Sequence, residues 1–374
     1  MEEKKSLQEA QRIMDDFSVR TGLIGDKGDS SRRYLWTDAF AVQTLFGLGR
    51  VNNEQAYVDR AVKLIDMVHD KLGHFHPDDE REGWIVGLAE EAGWDHPTAG
   101  GLRIGKKLPE RKASEPYNES LEWERDGQYF HYLTRWVNAL LKAGQQTGVK
   151  KYEHWAAELL VAAHKFVDKS RGRLRMYWKM SVDLSRPLID NQGAHDPLEG
   201  LICAESVMKA APEKAEELWS FSEDMRQLCR GQDWYTTDDL GIGSLLLNAI
   251  RTLDLEQEKL PEEVQPVHLF TNILEGLESH AQSYNKNRSA SQRLAFRECG
   301  LSLGLRAMEG LDVIPPEIKD LYKQLELYFP LANEIEDFWR NPQNLQSSTW
   351  SGHLDINEVS LASSLTAKSF SQAY

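Results

Sequence analysis

Apolar residues recur every three or four positions along most of the chain, which is the spacing of an α-helix, and strand-like alternation is scarce. Half of the predicted helices are amphipathic, with one apolar face and a charged remainder. In residues 54–72, for example, Val58, Leu64 and Val68 lie on one stripe. The six amphipathic segments are residues 6–18, 54–72, 151–169, 213–229, 265–284 and 316–327.

The other half of the predicted helices are apolar on most faces and rich in small residues. Residues 291–311 contain Gly300 and Gly304 one turn apart. Each glycine costs a helix about 1 kcal/mol relative to alanine, so the pair predicts close contact with a neighbouring helix. A helix that is apolar all round must also be covered all round. The six apolar segments are residues 38–50, 126–145, 196–210, 239–253, 291–311 and 355–370.

The two kinds of helix alternate along the chain, which predicts an all-α fold of six helical hairpins. We expect residues 1–374 to form a single (α/α)6 toroid domain, with the apolar helices as an inner ring and the amphipathic helices as an outer ring. An open solenoid of hairpins would alternate in the same way, but no residue-level repeat motif accompanies the alternation.

The connections between the predicted helices are unequal in length. Those that lead into the apolar helices are long, and in a closed ring they would all fall at one end, where sites are usually built. Residues 173–184, RLRMYWKMSVDL, alternate enough to predict a small β-hairpin in one of them. The long connections are residues 19–37, 73–125, 170–195, 230–238, 285–290 and 328–354.

The composition of the chain excludes several classes of binding partner. A net charge of -15 argues against nucleic acid and anionic membrane surfaces, and no run approaches the roughly 18 apolar residues of a membrane span. Cys203, Cys229 and Cys299 are odd in number and far apart, which predicts neither disulfides nor a metal site. Together with a charged N-terminal segment, this indicates a cytoplasmic protein. We also expect no metal or organic cofactor.

Tryptophans concentrate in the long connections. Such residues either form small cores under the loops or offer flat apolar faces to sugar rings. On the second interpretation, Trp36, Tyr129, Trp234 and Trp350 would stack on a saccharide. The tryptophans in the long connections are Trp36, Trp84, Trp94, Trp123, Trp178, Trp234, Trp339 and Trp350.

Aspartates stand at the predicted starts of five apolar helices: Asp38, Asp126, Asp196, Asp239 and Asp355. Aspartate is a favoured N-cap, so capping alone would explain each one. If the ring closes, however, several carboxylates meet at one mouth, and glycoside cleavage needs an acid and a second carboxyl group. We expect Asp126 or Asp239 as the general acid and Asp38 or Asp196 as the base. Repulsion from the adjacent Asp238 would raise the pKa of Asp239.

Histidines form a competing constellation. His131, His195 and His353 lie at or near the same predicted mouth, and His195 with His353 could exchange a proton beside a sugar carbonyl in a cofactor-free epimerase or isomerase.

A third alternative is a non-catalytic binding or accessory toroid. We expect a small saccharide as ligand, with an anionic group if the basic residues of the connections bind it. The oligomeric state stays open. Those basic residues are Arg32, Arg33, Arg103, Lys106, Lys107, Arg171, Arg173 and Arg175.

This organisation resembles the six-hairpin, (α/α)6-barrel superfamily of carbohydrate-active enzymes over nearly the whole chain. The unsaturated glucuronyl hydrolases in it use aspartates around the barrel mouth, which implies such roles for Asp38, Asp126, Asp196 and Asp239. The N-acetylglucosamine 2-epimerase branch has a Gly-His motif before a glutamate and a second histidine before the last helix. Here GAHDPLEG supplies His195 and SGHLDINEV supplies His353, although an alanine separates Gly193 from His195.

Overall fold

The structure, a computed structural model, describes residues 2–25, 28–170 and 172–370. Its α-helices are α1 (Glu2–Arg20), α2 (Leu35–Asn52), α3 (Gln55–Leu72), α4 (Glu90–Asp95), α5 (Glu119–Glu124), α6 (Phe130–Thr147), α7 (Lys151–Ala163), α8 (Asp196–Ala210), α9 (Ala215–Cys229), α10 (Asp239–Thr252), α11 (Pro266–Ser283), α12 (Ala295–Glu309), α13 (Lys319–Leu325), α14 (Phe329–Arg340), α15 (Ser348–Ser351) and α16 (Leu354–Leu365). Its strands are β1 (Gln128–Tyr129), β2 (Val167–Asp168), β3 (Arg175–Met176), β4 (Lys179–Met180) and β5 (Pro187–Ile189).

Each of the twelve predicted segments coincides with one of these helices, and α4, α5, α14 and α15 are additional. The largest addition, α14, lies inside the predicted connection 328–354. Pro330 stands in its first turn, where the missing N–H has no helical partner to lose. Trp339 of α14 is fully buried and donates a hydrogen bond to Glu298 Oε2 at 2.7 Å. This tryptophan therefore holds two helices together.

The described residues form two compact units. The first unit comprises residues 2–20, 43–58 and 229–370, and the second comprises residues 21–42 and 59–228 within the described ranges. No helix in the described part of the chain combines the length and the apolar character that a membrane span requires.

The first unit is built around α12, which packs on α10, α14 and α16. The predicted close approach of the α12 glycines is confirmed. A Cβ on Gly304 would lie 2.8 Å from the carbonyl oxygen of Gly243, and Gly243 in turn touches the backbone of Gly300. Only hydrogen side chains leave room for α10 and α12 at this separation.

The second unit joins α6, α7 and α8 to two small antiparallel sheets. The 170–195 connection contains a hairpin, as predicted, but it is formed by β4 and β5 and extends beyond residues 173–184, because β3 pairs with β2 instead of β4. Strand β4 also pairs with β1, placing Tyr129 opposite Lys179. Because β1 leads directly into α6, the sheet brings residues of the 170–195 connection against the first turn of that helix.

Candidate active site

Five aromatic side chains gather where β1 enters α6, and we call them the aromatic cluster: Tyr34, Tyr129, His131, Tyr132 and Trp178. The rings of His131 and Trp178 are stacked, with centroids 5.9 Å apart and an interplanar angle of 13°. Tyr129 lies 5.1 Å from Trp178, and the hydroxyls of Tyr34 and Tyr132 are 2.6 Å apart. All five belong to the second unit.

Two polar atoms of the aromatic cluster are buried without a hydrogen-bond partner among the described residues: the Tyr129 hydroxyl and Nδ1 of His131. Buried polar atoms are nearly always paired, so unpaired ones within one cluster indicate a place for a ligand. Burial lowers the pKa of His131 to about 4, so its imidazole is neutral near pH 7. Burial also raises the pKa of the Tyr129 hydroxyl, which stays protonated. The cluster therefore offers neutral hydrogen-bonding groups between flat faces.

Asp196, the first residue of α8, is buried in the same unit. Its carboxyl group accepts one long hydrogen bond, from the Gly193 N–H at 3.2 Å. A Cβ on Gly193 would collide with this carboxyl group, so the close approach requires glycine. Burial, reinforced by the negative charge of Glu199, raises the pKa of Asp196 to about 8. At neutral pH its side chain is thus mostly the protonated acid.

An ion pair between α6 and α8 lies beside both groups. Arg135 donates to Glu199 Oε1, and Thr134 Oγ1 donates to Glu199 Oε2 at 2.9 Å. Glu199 and Arg135 act electrostatically on Asp196 and on His131 alike. The carboxyl group of Asp196 and the imidazole of His131 are therefore both affected by the same Arg135–Glu199 ion pair.

The other two candidate aspartates of this unit are engaged by the protein. Asp126 is fully buried, accepts from an Arg103 N–H, and accepts from the backbone N–H groups of Gly105 and Gly127 at 3.0 and 3.1 Å. Asp38 is not the residue before its helix as predicted, because α2 begins at Leu35. Its carboxylate reaches back to accept the Tyr34 N–H at 3.1 Å, a bond that holds the first turn.

Two helix starts in the first unit also differ from the prediction. At α10 the N-cap is Asp238, which accepts the Gly241 N–H at 2.9 Å. The neighbouring Asp239 instead receives a 2.6 Å contact from His280 Nε2. Helix α16 begins at Leu354, and Asp355 is paired with Arg20 at 2.8 Å.

The three tryptophans predicted to stack on sugar are all buried. Trp234 is fully buried and donates to the Glu263 carbonyl at 2.7 Å. Trp350 is 5% exposed and stacks on Trp339, and Trp36 is 6% exposed and packs on Phe40. All three residues therefore belong to the buried core of the protein.

The histidines and basic residues predicted for the site differ in their exposure to solvent. His195 is half-buried as the residue before α8, whereas His353 is exposed before α16. Arg33 is buried beside Asp38, 3.6 Å from its carboxylate. Arg171 lies outside the described residues. No group of three or more metal-ligating side chains in the described ranges is arranged to hold an ion.

Tyr34, Tyr132 and Arg135 were not recognised from the sequence as site residues. The stretch QYFHYLTRW, residues 128–136, could have indicated a site, because it contains four aromatic residues and a histidine. The spacing of these residues is also that of a helix packed in a core, however, and only the pairing of strand β4 with β1 brings Trp178 against them.

Comparison with known proteins supports the fold. No family model and no curated protein sequence matches the chain. Two solved structures are similar to it over most of their length. One is cellobiose 2-epimerase from Spirochaeta thermophila, with a TM-score of 0.50, 11% identity, and coverage of 92% of this chain and 88% of that one. The other is a family GH76 α-mannanase from Bacteroides thetaiotaomicron, with a TM-score of 0.56, 9% identity, and coverage of 99% and 95%.

These similarities confirm the predicted all-α, (α/α)6 toroid fold.

Proposed function

We propose that this protein is a carbohydrate-active enzyme that cleaves a glycosidic bond, with Asp196 as its general acid. The observation that carries the proposal is a buried carboxyl group whose pKa is raised to about 8. A glycosidic oxygen leaves only if it is protonated, and a carboxylic acid that keeps its proton at neutral pH is the group this step needs. The two solved structures described above are named as a cellobiose epimerase and a mannanase, both of which act on saccharides.

The substrate ring in this proposal lies against the aromatic cluster. Trp178 and His131 are half-buried and stacked, so each presents part of a flat face. The Tyr129 hydroxyl and His131 Nδ1 would hydrogen-bond to sugar hydroxyls, which are both donors and acceptors. Binding a sugar would thus satisfy two atoms that the protein leaves unpaired.

The roles of the aspartates in this proposal differ from those expected from sequence. Asp196 moves from base to acid because burial outweighs the helix N-terminus at its carboxyl group. Asp126 positions the 103–105 turn through Arg103 and Gly105. Asp38 is the candidate second carboxylate within the same unit. The three buried, free cysteines accord with a reducing compartment, and we propose that the protein acts in the cytoplasm.

A cofactor-free sugar epimerase is the second candidate, and His131 is the observation that favours it. A neutral imidazole near pH 7 with an unpaired ring nitrogen can accept a proton from carbon beside a carbonyl. In this alternative His131 takes the role first assigned to His195 and His353, while Asp196 donates a proton to the sugar oxygen.

The proposal is tested with Asp196→Asn on a substrate found by screening di- and oligosaccharides. Removing a general acid should lower kcat by about 10²- to 10⁴-fold. The rate of the unchanged enzyme should fall as pH rises through about 8, because the acid loses its proton there. Asp190→Asn is the matched control, since Asp190 is an exposed carboxylate in the same connection, and we expect its rate to stay within twofold (about 0.4 kcal/mol).

Solvent deuterium separates the two activities. Hydrolysis in D2O leaves the carbon-bound hydrogens of the sugar unchanged, whereas epimerisation through His131 introduces deuterium at the carbon beside the carbonyl. Full turnover by Asp196→Asn would overturn the assignment of the acid. Absence of turnover and of saccharide binding across the screen would favour the non-catalytic toroid instead.

A further inference from the structure

A pocket of about 510 Å³ opens in the second unit beside the aromatic cluster, and cations outnumber carboxylates in its wall. The pocket is formed by the turn before α2, the end of α3, residues 74–78 and the 103–107 turn, and its two carboxylates are Asp70 and Asp78. Its volume is in the range of small-molecule sites. Its six cationic side chains are Arg32, Arg33, Lys71, Arg103, Lys106 and Lys107.

Half of these cations form no ion pair within the described part of the chain. Arg103 is neutralised by Asp126, Lys71 by Asp70 at 2.8 Å, and Arg33 partly by Asp38 at 3.6 Å. No ion pair forms between Arg32, Lys106 or Lys107 and any residue of the described ranges. In a chain of net charge -15, basic residues should find acids easily. Three that do not, on one wall, indicate an anion that is not part of the chain.

Arg33 gives an independent indication of a ligand. Its side chain is 4% exposed, with Nε donating to the Arg32 carbonyl at 2.7 Å and Nη2 to the Thr21 carbonyl at 3.2 Å. Its Nη1 lies 3.6 Å from Asp38 Oδ1, too far for a hydrogen bond, and it is buried without a hydrogen-bond partner among the described residues, although Arg33 lines the pocket. A buried donor without a hydrogen bond is costly, and an oxyanion in the pocket would supply the missing acceptor.

We propose that this pocket binds the phosphate group of a phosphorylated saccharide. A phosphate monoester carries a charge of about -1.5 to -2 near pH 7 and three acceptor oxygens, which suits several unneutralised cations better than the single charge of a carboxylate. Lys106 connects the pocket to the aromatic cluster, because its Nζ lies 5.5 Å from the centre of the Tyr34 ring. The inference rests on the proposed function for the sugar part of the ligand and not for the anion site itself.

The test measures binding by calorimetry to the full chain, with inorganic phosphate, a panel of hexose 6-phosphates, the matching free hexoses and glucuronate as probes. We expect inorganic phosphate and at least one hexose phosphate to bind, with affinity that falls as salt is raised. Lys106→Gln and Arg32→Gln should each weaken this binding about tenfold, the loss of one charge-assisted hydrogen bond. Lys165→Gln removes an exposed lysine elsewhere in the same unit and should change it less than about twofold.

Three outcomes would overturn the inference: no phosphate binding, binding equally insensitive to all three substitutions, or dependence on Lys106 for glucuronate but not for phosphates. None of these outcomes bears on Asp196. If neutral saccharides still bind and are cleaved while phosphates do not bind, the proposed function stands and only the phosphate site is lost. If phosphates bind as expected but Asp196→Asn keeps full activity, the reverse holds.

Discussion

Asp126 and Asp196 lie in the same unit, are both buried, and were both predicted from their places at the starts of apolar helices, yet their surroundings are opposite. Asp126 accepts hydrogen bonds from a guanidinium and two backbone N–H groups. Asp196 accepts one bond, of 3.2 Å, and the stronger of the charge effects on it is repulsion by Glu199. One buried aspartate is fully hydrogen-bonded and paired with a cation, whereas burial and Glu199 raise the pKa of the other.

The difference shows which of two buried carboxyl groups is free for chemistry. A carboxylate whose lone pairs are filled by Arg103 and the backbone stabilises the 103–127 region but offers no proton and no vacant oxygen. A protonated carboxyl group without a strong donor is a less stable arrangement, of the kind that persists at functional sites. Structural and functional aspartates should therefore respond to substitution with opposite signs.

The largest effect on stability should come from Asp126. We expect Asp126→Ala to lower the free energy of unfolding by about 3–5 kcal/mol, because it leaves the buried Arg103 charge without its partner. Urea denaturation measures the change. Asp190→Ala, at an exposed carboxylate, should stay within about 0.5 kcal/mol.

Replacing both partners tests the cause of that loss. Because Arg103→Met with Asp126→Leu removes the uncompensated charge, the double variant should recover part of the stability that Asp126→Ala loses. A loss below about 1 kcal/mol in Asp126→Ala would mean that Asp126 does not hold the turn.

Sequence periodicity was enough to predict the fold, because whether a helix is amphipathic or apolar on most faces can be read from its own residues. Alternation of charged and apolar helices predicted the six hairpins, and the α12 glycines predicted a helix contact that is present. The charge states of single carboxyl groups could not be predicted in this way. Arg103 and Asp126 are 23 residues apart, so their ion pair depends on the tertiary fold. Glu199 follows Asp196 by only three residues, but the effect of its charge depends on the burial of both side chains, which sequence periodicity does not specify.

The same limit applies to the aromatic residues. Trp234 and Trp178 both lie in long connections, and the sequence does not show which of them is buried in the core and which lies in a site. Trp234 packs under α11 with its N–H bonded to Glu263, whereas Trp178 is brought to the start of α6 by the pairing of β4 with β1. Only the pairing of these two-residue strands distinguishes the core tryptophan from the candidate site tryptophan.

A smaller effect, of opposite sign, is expected at Asp196. Since the folded-state pKa is raised to about 8, the native protein binds a proton that the unfolded chain releases above about pH 4. The contribution of Asp196 to stability is fully present below that pH and declines as pH rises towards 8. Asp196→Asn lacks this dependence, so its stability relative to the unchanged protein should rise by about 1.4 kcal/mol per pH unit across this interval.

At pH 8 we expect a net gain of about 1–3 kcal/mol for Asp196→Asn, because burying the amide offsets part of the gain. Thermal or urea denaturation at pH 4, 6 and 8 measures it, with Asp190→Asn as the control that should show no such trend. If Asp196→Asn instead destabilised the protein at every pH, Asp196 would belong with Asp126 as a structural residue.

The smallest effect concerns a third aspartate, Asp238, which caps α10 as the sequence predicted for its neighbour. Asp238→Ala removes the 2.9 Å bond from Gly241 and a half-exposed ion pair with Arg297, and should cost about 1 kcal/mol in urea denaturation. Asp238→Asn keeps an oxygen for the Gly241 N–H and should cost only a few tenths. Equal losses in both variants would mean that the charge, and not the cap, stabilises α10. Because the cap bond is local and the Arg297 pair is screened by water, we expect the alanine and asparagine variants to differ at every salt concentration.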